Sequence, residues 1–346
     1  MASLPILELA PGLTRRPFLP IVARPTPIER LPAYGERVWV KRDDLASPLY
    51  GGNKIRRWEW LLADAIDRGK TELLTVGGLG STQVTSLIVH GAHAGLRVTG
   101  VLFDQPDTPF VHEALSLDAA RGGAIIRAGG YGGTTLATLR ELVRRRSRAA
   151  FVAPGASGPL ANVAYVDAML ELGLQVARGE APRPDRIVVA CGSGGTAVGL
   201  ALGAAILGWP TRITAVRITS FVVSNPATLG ALAAGTKRLL AREGLREEIG
   251  PLALEMDHRF VGEGYGYGTP EAERGAEKYE ALFGAPGEVT YSGKSMAALE
   301  RVVAEHPSET IVLWNTLSTT GRATTGRGPE LRASAGTPGR SSSSGC

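Results

Sequence analysis

The order of apolar runs along this chain predicts an α/β protein built on open parallel sheets. Short runs rich in β-branched residues alternate with longer amphipathic runs, the pattern of strand–helix–strand units. The chain is 346 residues long, enough for a large core and two domains. Residues 55–156 contain a succession of strands and helices of their own. Strands are expected at 73–76, 98–103, 125–127, 151–152, 187–190, 213–216 and 311–314, with helices filling most of the gaps. No internal repeat is visible.

Composition narrows the function class. A chain that is 44% hydrophobic and 21% charged is an ordinary globular protein. The net charge of +5 attracts anionic substrates mildly and is no nucleic-acid signature by itself. The densest basic cluster, Arg144-Arg145-Arg146-Ser147-Arg148, closes a helical run carrying Leu136, Leu139, Leu142 and Val143, and cations suit a helix C-terminus. No aromatic platform accompanies it, so no nucleic-acid partner is expected. The two cysteines, Cys191 and Cys346, form no disulfide framework, which favours a reducing, cytoplasmic setting. The five histidines (90, 93, 112, 258 and 306) make no H-E-x-x-H pair, and no metal is expected. Met1-Ala2-Ser3-Leu4-Pro5 has no basic region followed by a sustained apolar stretch, so no signal peptide is expected. Residues 187–209 are uncharged and long enough for a membrane span. Their glycines and strand-like start instead predict a buried strand, loop and helix, and no membrane partner.

Two short runs carry chemistry. In Gly51-Gly52-Asn53-Lys54-Ile55-Arg56-Arg57, a lysine follows two glycines and opens a helix carrying Trp58, Leu61 and Leu62. Glycines allow a sharp turn and leave room for a bulky group, and a lysine held there can form a Schiff base with an aldehyde. In the second run, residues 187–190 read as a buried strand, Cys191-Gly192-Ser193-Gly194-Gly195-Thr196 as a loop, and residues 197–207 as a helix. Strand, glycine loop and helix start form a phosphate cradle. The loop lacks the lysine of a Walker A run and the spacing of G-x-G-x-x-G. Together the two runs supply an amine for an aldehyde and a cradle for a phosphate.

These residues resemble the fold-type II pyridoxal-phosphate enzymes, the tryptophan-synthase-β-like group. Within it they are most similar to the branch of 1-aminocyclopropane-1-carboxylate deaminase and D-cysteine desulfhydrase. The matching blocks are 41–57, 77–83, 154–165, 192–196, 267–270, 291–296 and 314–318, in the family's order. The resemblance implies two αβα domains with pyridoxal 5'-phosphate between them. The large domain would comprise residues 1–54 and 157–318, and the small inserted one residues 55–156. Lys54 matches the Schiff-base lysine, beside Asn53. Ser81 matches the serine that holds the substrate carboxylate. Gly192, Ser193, Gly194, Gly195 and Thr196 match the phosphate loop. Tyr267 and Tyr291 match two active-site tyrosines, and Thr316 a hydroxyl near the pyridine nitrogen. A small amino-acid substrate and a homodimer are expected.

Three departures bear on activity. Thr82 stands where the family has an asparagine toward the cofactor's phenolic oxygen, and a hydroxyl reaches less far. Ser292 stands where the deaminases carry glutamate. The likeness ends near Ser318, and residues 319–346, rich in Gly, Ser, Thr, Arg and Pro, are expected to be a disordered tail. A hydroxyl in place of a carboxylate weakens the electron sink. This favours β-elimination of the D-cysteine desulfhydrase type, giving pyruvate, ammonia and sulfide, over ring opening to 2-oxobutyrate. A pyridoxal-phosphate-binding protein without turnover is the remaining alternative.

Overall fold

The computed structural model describes residues 4–322. In chain order the elements are α1 (Ile6–Leu9), β1 (Ile28–Arg30), β2 (Val38–Lys41), α2 (Ile55–Asp67), β3 (Glu72–Gly78), α3 (Thr82–His93), β4 (Arg97–Phe103), α4 (Pro109–Ala120), β5 (Ala124–Arg127), α5 (Tyr131–Arg145) and β6 (Ala149–Val152). The chain continues through α6 (Pro159–Ala177), β7 (Arg186–Cys191), α7 (Gly195–Ile206), β8 (Arg212–Arg217), α8 (Pro226–Arg242), β9 (Leu254–Asp257), α9 (Pro270–Phe283), α10 (Ser292–Glu305) and β10 (Ile311–Trp314).

The strands form two sheets. One has the order β1-β2-β10-β7-β8-β9, the other β5-β4-β3-β6. Every pairing is parallel except β1 with β2. All seven expected strands are present. The additional strands β1, β2 and β9 are three or four residues long and carry charges, which hid them from an apolar-run reading. The second sheet uses only residues 72–152. Domain boundaries at 54/55 and 156/157 are kept as a proposal, since α2 packs against both α3 and α6.

Strand β7 shows why the large sheet is doubly covered. All six of its residues are buried. Ile187 and Val189 pack with Tyr165, Met169 and Leu200, from α6 and α7. Val188 packs on the other face with Met296, Leu299 and Val302 of α10. A strand buried on both faces has no polar alternation, which is why residues 187–209 look like a membrane span. Glycines in α7 let it lie close on α6: a Cβ at Gly199 would come within 2.4 Å of the Tyr165 Cβ. Among the described residues no helix is long and apolar enough to cross a membrane.

Charged residues sit in the middle of this core. The buried Arg56 guanidinium on α2 bridges Asp43 at 2.9 Å and Glu171 of α6 at 2.9 Å. Lys41 Nζ donates to the same Glu171 oxygen at 2.7 Å. Asp43 also accepts from Tyr165 Oη and Trp314 Nε1, both at 2.8 Å. Burial alone would raise the Glu171 carboxyl's pKa, but Arg56 and Lys41 outweigh it and hold the group well below the usual range. The Asp43 carboxylate thus ties the chain just after β2 to α2, α6 and β10.

The chain after β10 departs from the expected boundary at Thr319. Thr319 Oγ1 donates to Asp44 Oδ2 at 2.8 Å, and Arg322 makes two 2.8 Å bonds to the Glu113 carboxylate. Residues 319–322 are therefore held by charged partners that composition does not reveal. The rest of the tail expected to be disordered, residues 323–346, lies outside the described residues.

Removing one member of the buried cluster leaves its partners desolvated and unpaired. Asp43→Ala is expected to cost about 3–5 kcal/mol in urea unfolding. A loss below about 1 kcal/mol would show that the cluster does not hold these elements together.

Candidate active site

Lys54 is the N-cap residue of α2. Its backbone is clasped from two sides: Asn53 N–H donates to the Thr316 carbonyl at 3.1 Å, and Tyr165 Oη donates to the Asn53 carbonyl at 2.9 Å. The Lys54 side chain is buried and makes no hydrogen bond among the described residues. Burial, reinforced by the adjacent Arg57 guanidinium, holds its amine well below the ordinary lysine range. A buried amine in its neutral form is a nucleophile and a base.

The glycine loop faces this amine. Lys54, Asn53 and Arg57 line one small cavity with Gly192, Ser193, Gly194, Gly195, Thr196 and Tyr291. Gly194 caps α7 with φ of +89°, a left-handed conformation that suits glycine. Ser157 Oγ lies 2.6 Å from Ser193 Oγ and accepts from Gly195 N–H at 3.2 Å. Thr196 Oγ1 accepts from Asn53 Nδ2 at 3.0 Å and from Arg57 Nη2 at 2.7 Å.

Arg57 was not singled out by the sequence reading. Its guanidinium is fully buried, lies 5.5 Å from the Tyr165 ring centre and makes no ion pair among the described residues. Its Nε has no partner, and burial lowers its pKa to about 10. An unpaired buried cation is costly unless an anion joins it. The signal was available: three cations follow Asn53 within four residues, and only Arg56 finds carboxylates. The orphaned Arg57, the glycine cradle, the start of α7 and the unpaired Lys54 amine fit a phosphorylated aldehyde. Pyridoxal phosphate placed here would be held by Lys54 at its aldehyde and by residues 192–196 with Arg57 at its phosphate.

A larger cavity of about 310 Å³ adjoins this one through Gly192, Ser193 and Tyr291. Ser81 opens α3 there as its N-cap residue, and its hydroxyl makes no capping bond but faces the Tyr265 phenol. The N-terminus of α3 adds a favourable field for a carboxylate. Gln83 braces the wall: its Nε2 donates to Thr75 Oγ1 at 2.7 Å and its Oε1 accepts from Gly155 N–H at 3.0 Å. Tyr291 Oη donates to Tyr265 Oη at 3.4 Å. Burial pushes the Tyr265 phenol up to about 12 and the Tyr291 phenol higher still, so both stay protonated near neutral pH.

Several expected residues are placed differently. Tyr267 is 43% exposed and lines neither cavity; Tyr265 stands in the cleft instead. Thr269 and Pro270, which follow Tyr267 in its matching block, mark the start of α9, where Thr269 accepts from Ala272 N–H at 3.2 Å. The signal missed was Gly264-Tyr265-Gly266, a tyrosine between glycines. The loop carrying it is anchored by Lys294, whose Nζ donates to the Val261 carbonyl at 2.7 Å and the Gly264 carbonyl at 3.2 Å. Thr82 is half-buried and lines neither cavity; the side chains present at this turn are those of Ser81 and Gln83. Thr316 contributes its carbonyl to Asn53, and its hydroxyl makes no bond among the described residues. Ser292 spends its hydroxyl on the Glu288 backbone, donating to the carbonyl at 2.9 Å. Among the described residues no cluster of metal-ligating side chains occurs.

Comparison with known proteins agrees with this geometry. The family of pyridoxal-phosphate dependent enzymes matches residues 20–316. Nocardicin C-9' epimerase of Nocardia uniformis subsp. tsuyamanensis is 34% identical, over 88% of this chain and 93% of its own length. D-cysteine desulfhydrase of Salmonella paratyphi C is 28% identical, over 83% of this chain and 88% of its own. The Arabidopsis thaliana bifunctional D-cysteine desulfhydrase/1-aminocyclopropane-1-carboxylate deaminase is also 28% identical, over 89% and 82%. The crystal structure of an ACC deaminase homologue superposes with a TM-score of 0.76 at 27% identity, covering 93% of this chain and 96% of that one.

Two outcomes are expected. Borohydride reduction of the protein loaded with pyridoxal phosphate, followed by peptide mapping, places the pyridoxyl label on Lys54; a label on another lysine refutes the assignment. Arg57→Met raises the stability of the cofactor-free protein, because it removes an unpaired buried charge. The same variant weakens cofactor binding by roughly ten- to a hundredfold in a titration, the worth of a hydrogen bond to a charged group. Weaker binding without that gain would leave Arg57 a structural residue.

Proposed function

Because the chain belongs to the pyridoxal-phosphate dependent enzyme family, we propose that it removes the Cα proton of a small amino acid and expels a leaving group from Cβ, as in D-cysteine desulfhydration. The observation that carries this reading is that, among the described residues, no carboxylate lines the two joined cavities. The nearest acidic candidate, Glu288, is spent on three backbone N–H groups, those of Thr290, Tyr291 and Ser292, at 2.6–2.7 Å. Pyridoxal phosphate supplies the electron sink that makes the Cα proton removable. Without a carboxylate partner that sink is moderate, which suits loss of a β-substituent over transamination.

The residues divide the work. Lys54, neutral and unpaired, takes the Cα proton. Ser81 and the start of α3 hold the carboxylate. A protonated phenol, Tyr265 or Tyr291, hands a proton to the leaving sulfur as the Cβ–S bond breaks. Hydrolysis of the remaining unsaturated amine gives pyruvate and ammonia alongside sulfide.

One observation favours a second reading, epimerisation. Two protonated phenols share the cleft with a neutral amine, so a proton removed by one group can be returned to Cα by another. A homodimer in a reducing cytoplasmic setting belongs to the same proposal. The buried free Cys191 and a row of exposed apolar residues on α5, Leu136, Leu139 and Val143, support it.

The test is incubation of the loaded enzyme with D- and L-amino acids in D₂O, following α-hydrogen exchange, keto acid, ammonia and sulfide. D-cysteine is expected to release the three products in equal amounts. Inversion without release marks the second reading, and no exchange with any amino acid sinks both. Ser81→Ala is expected to keep the bound cofactor's absorbance and lower turnover roughly ten- to a hundredfold.

A further inference from the structure

We propose that the natural substrate carries an uncharged aromatic or extended apolar group beyond Cβ, seated along an aromatic wall that runs from Tyr291 out to Tyr131. This rests on the elimination reading above and adds the substrate class. The wall is continuous. Ring centres are 6.0 Å apart for Tyr265 and Tyr291, 5.8 Å for Phe103 and Tyr265, and 4.8 Å for Phe103 and Tyr131. Gly78 makes the approach possible, since a Cβ there would meet Tyr265 at 2.8 Å and Phe103 at 3.1 Å.

The cavity beside this wall is built for an apolar guest. None of its lining residues is charged. Val76, Pro154 and Val223 face it. Its two threonines at the start of α5 spend their hydroxyls on their own helix: Thr134 donates to the Gly130 carbonyl at 3.0 Å and Thr135 to the Tyr131 carbonyl at 2.9 Å. A second carboxylate or an amine on the side chain would find no counter-charge there. The phosphate cradle adjoins this cavity and shares Gly192, Ser193 and Tyr291 with it, so the cavity takes the pyridoxal ring as well as the substrate. Such a volume falls within the range of about 300–1,000 Å³ of small-molecule pockets.

The rim adds a second observation. Val223 and Tyr131, which line the cavity, are exposed at 46% and 68%. The turn that carries Val223 is pinned: Thr219 Oγ1 donates to the Gly192 carbonyl at 3.0 Å, and Asn225 Nδ2 to the Phe221 carbonyl at 2.8 Å. Apolar side chains held in water beside a cleft mark a surface that a ligand covers. The chemistry then is that of an S-substituted cysteine. The Cα proton goes to Lys54, the Cβ–S bond breaks with its electron pair on sulfur, and the thiol leaves protonated. Hydrolysis of the three-carbon remainder gives pyruvate and ammonia.

The test compares S-benzyl-cysteine with cysteine, each as D and L forms, in wild type and Tyr131→Ala. The readouts are kcat/KM by pyruvate release, α-hydrogen exchange in D₂O, and the bound cofactor's absorbance as a check on folding. Wild type is expected to favour the benzyl substrate. Tyr131→Ala should lower kcat/KM for it by about two- to tenfold, the worth of one aromatic contact, and leave cysteine nearly unchanged. Preference for free cysteine, or an equal loss on both substrates, overturns the proposal while the elimination reading stands. Absence of exchange with every substrate overturns the elimination reading, and this proposal with it.

Discussion

Everything near the cofactor site hangs on the carboxylate of Asp43. It receives Arg56, Tyr165 and Trp314, and so locks the helix that begins with Lys54 onto the large sheet. Buried ion pairs of this kind add little net stability compared with an apolar core, because desolvation offsets much of their attraction. Their value is directional. An apolar contact would let α2 slide or rotate. Bonds of 2.8–2.9 Å to three different elements fix its first turn, and with it the position of the Lys54 amine.

The same turn sorts three cations into three states. Arg56 is neutralised by Asp43 and Glu171. Arg57, one residue on, meets only carbonyls and a hydroxyl and remains a net positive charge against the glycine loop. Lys54 sits beside that charge in a buried position, and both effects favour its neutral form. A cation that draws a phosphate thereby also favours the neutral form of the neighbouring amine. Once a phosphate dianion arrives, it screens Arg57, so amine and anion are coupled through one guanidinium.

Much of the fold was legible because buried parallel strands have a strong signature. All seven runs read as strands are strands; β3, β4, β7, β8 and β10 are apolar because they are largely buried on both faces, while the edge strands β5 and β6 keep a short apolar run despite partial exposure. The short edge strands β1 and β9 carry charges and sit where one face meets solvent, so they gave no such signal. Glycine placement and helix start are local signals, and the structure brings Lys54 and the loop 192–196, which carry them, to one cavity. Arg57 and Tyr265 were not, because what distinguishes them is a missing partner and a burial that only the fold creates. Tyr267, matched through the resemblance, lies 43% exposed outside the cleft, because local sequence does not say which tyrosine of a glycine-rich loop turns inward. The lesson extends to residues 319–322, whose composition suggests solvent while Asp44 and Glu113 hold them in place.

The two sheets meet in a way that defines what fits between them. Ser81 follows the carboxyl end of β3 and begins α3, and Gly192 and Ser193 follow the carboxyl end of β7 and lead into α7. All three line one cavity. Open α/β sheets place ligands at the carboxyl ends of their strands, and each helix start there offers N–H groups and a positive dipole end. This cleft has two such ends, from different sheets. Between them lie a neutral amine and two neutral phenols. The arrangement suits an adduct with a phosphate at one end, a carboxylate at the other and an uncharged reacting centre between. An amino acid joined to pyridoxal phosphate has that distribution of charge. A nucleotide has its anionic charge at one end and would leave the α3 site unused. The aromatic wall then decides what hangs from the reacting centre, because along it the cleft offers shape and apolar surface and no charge.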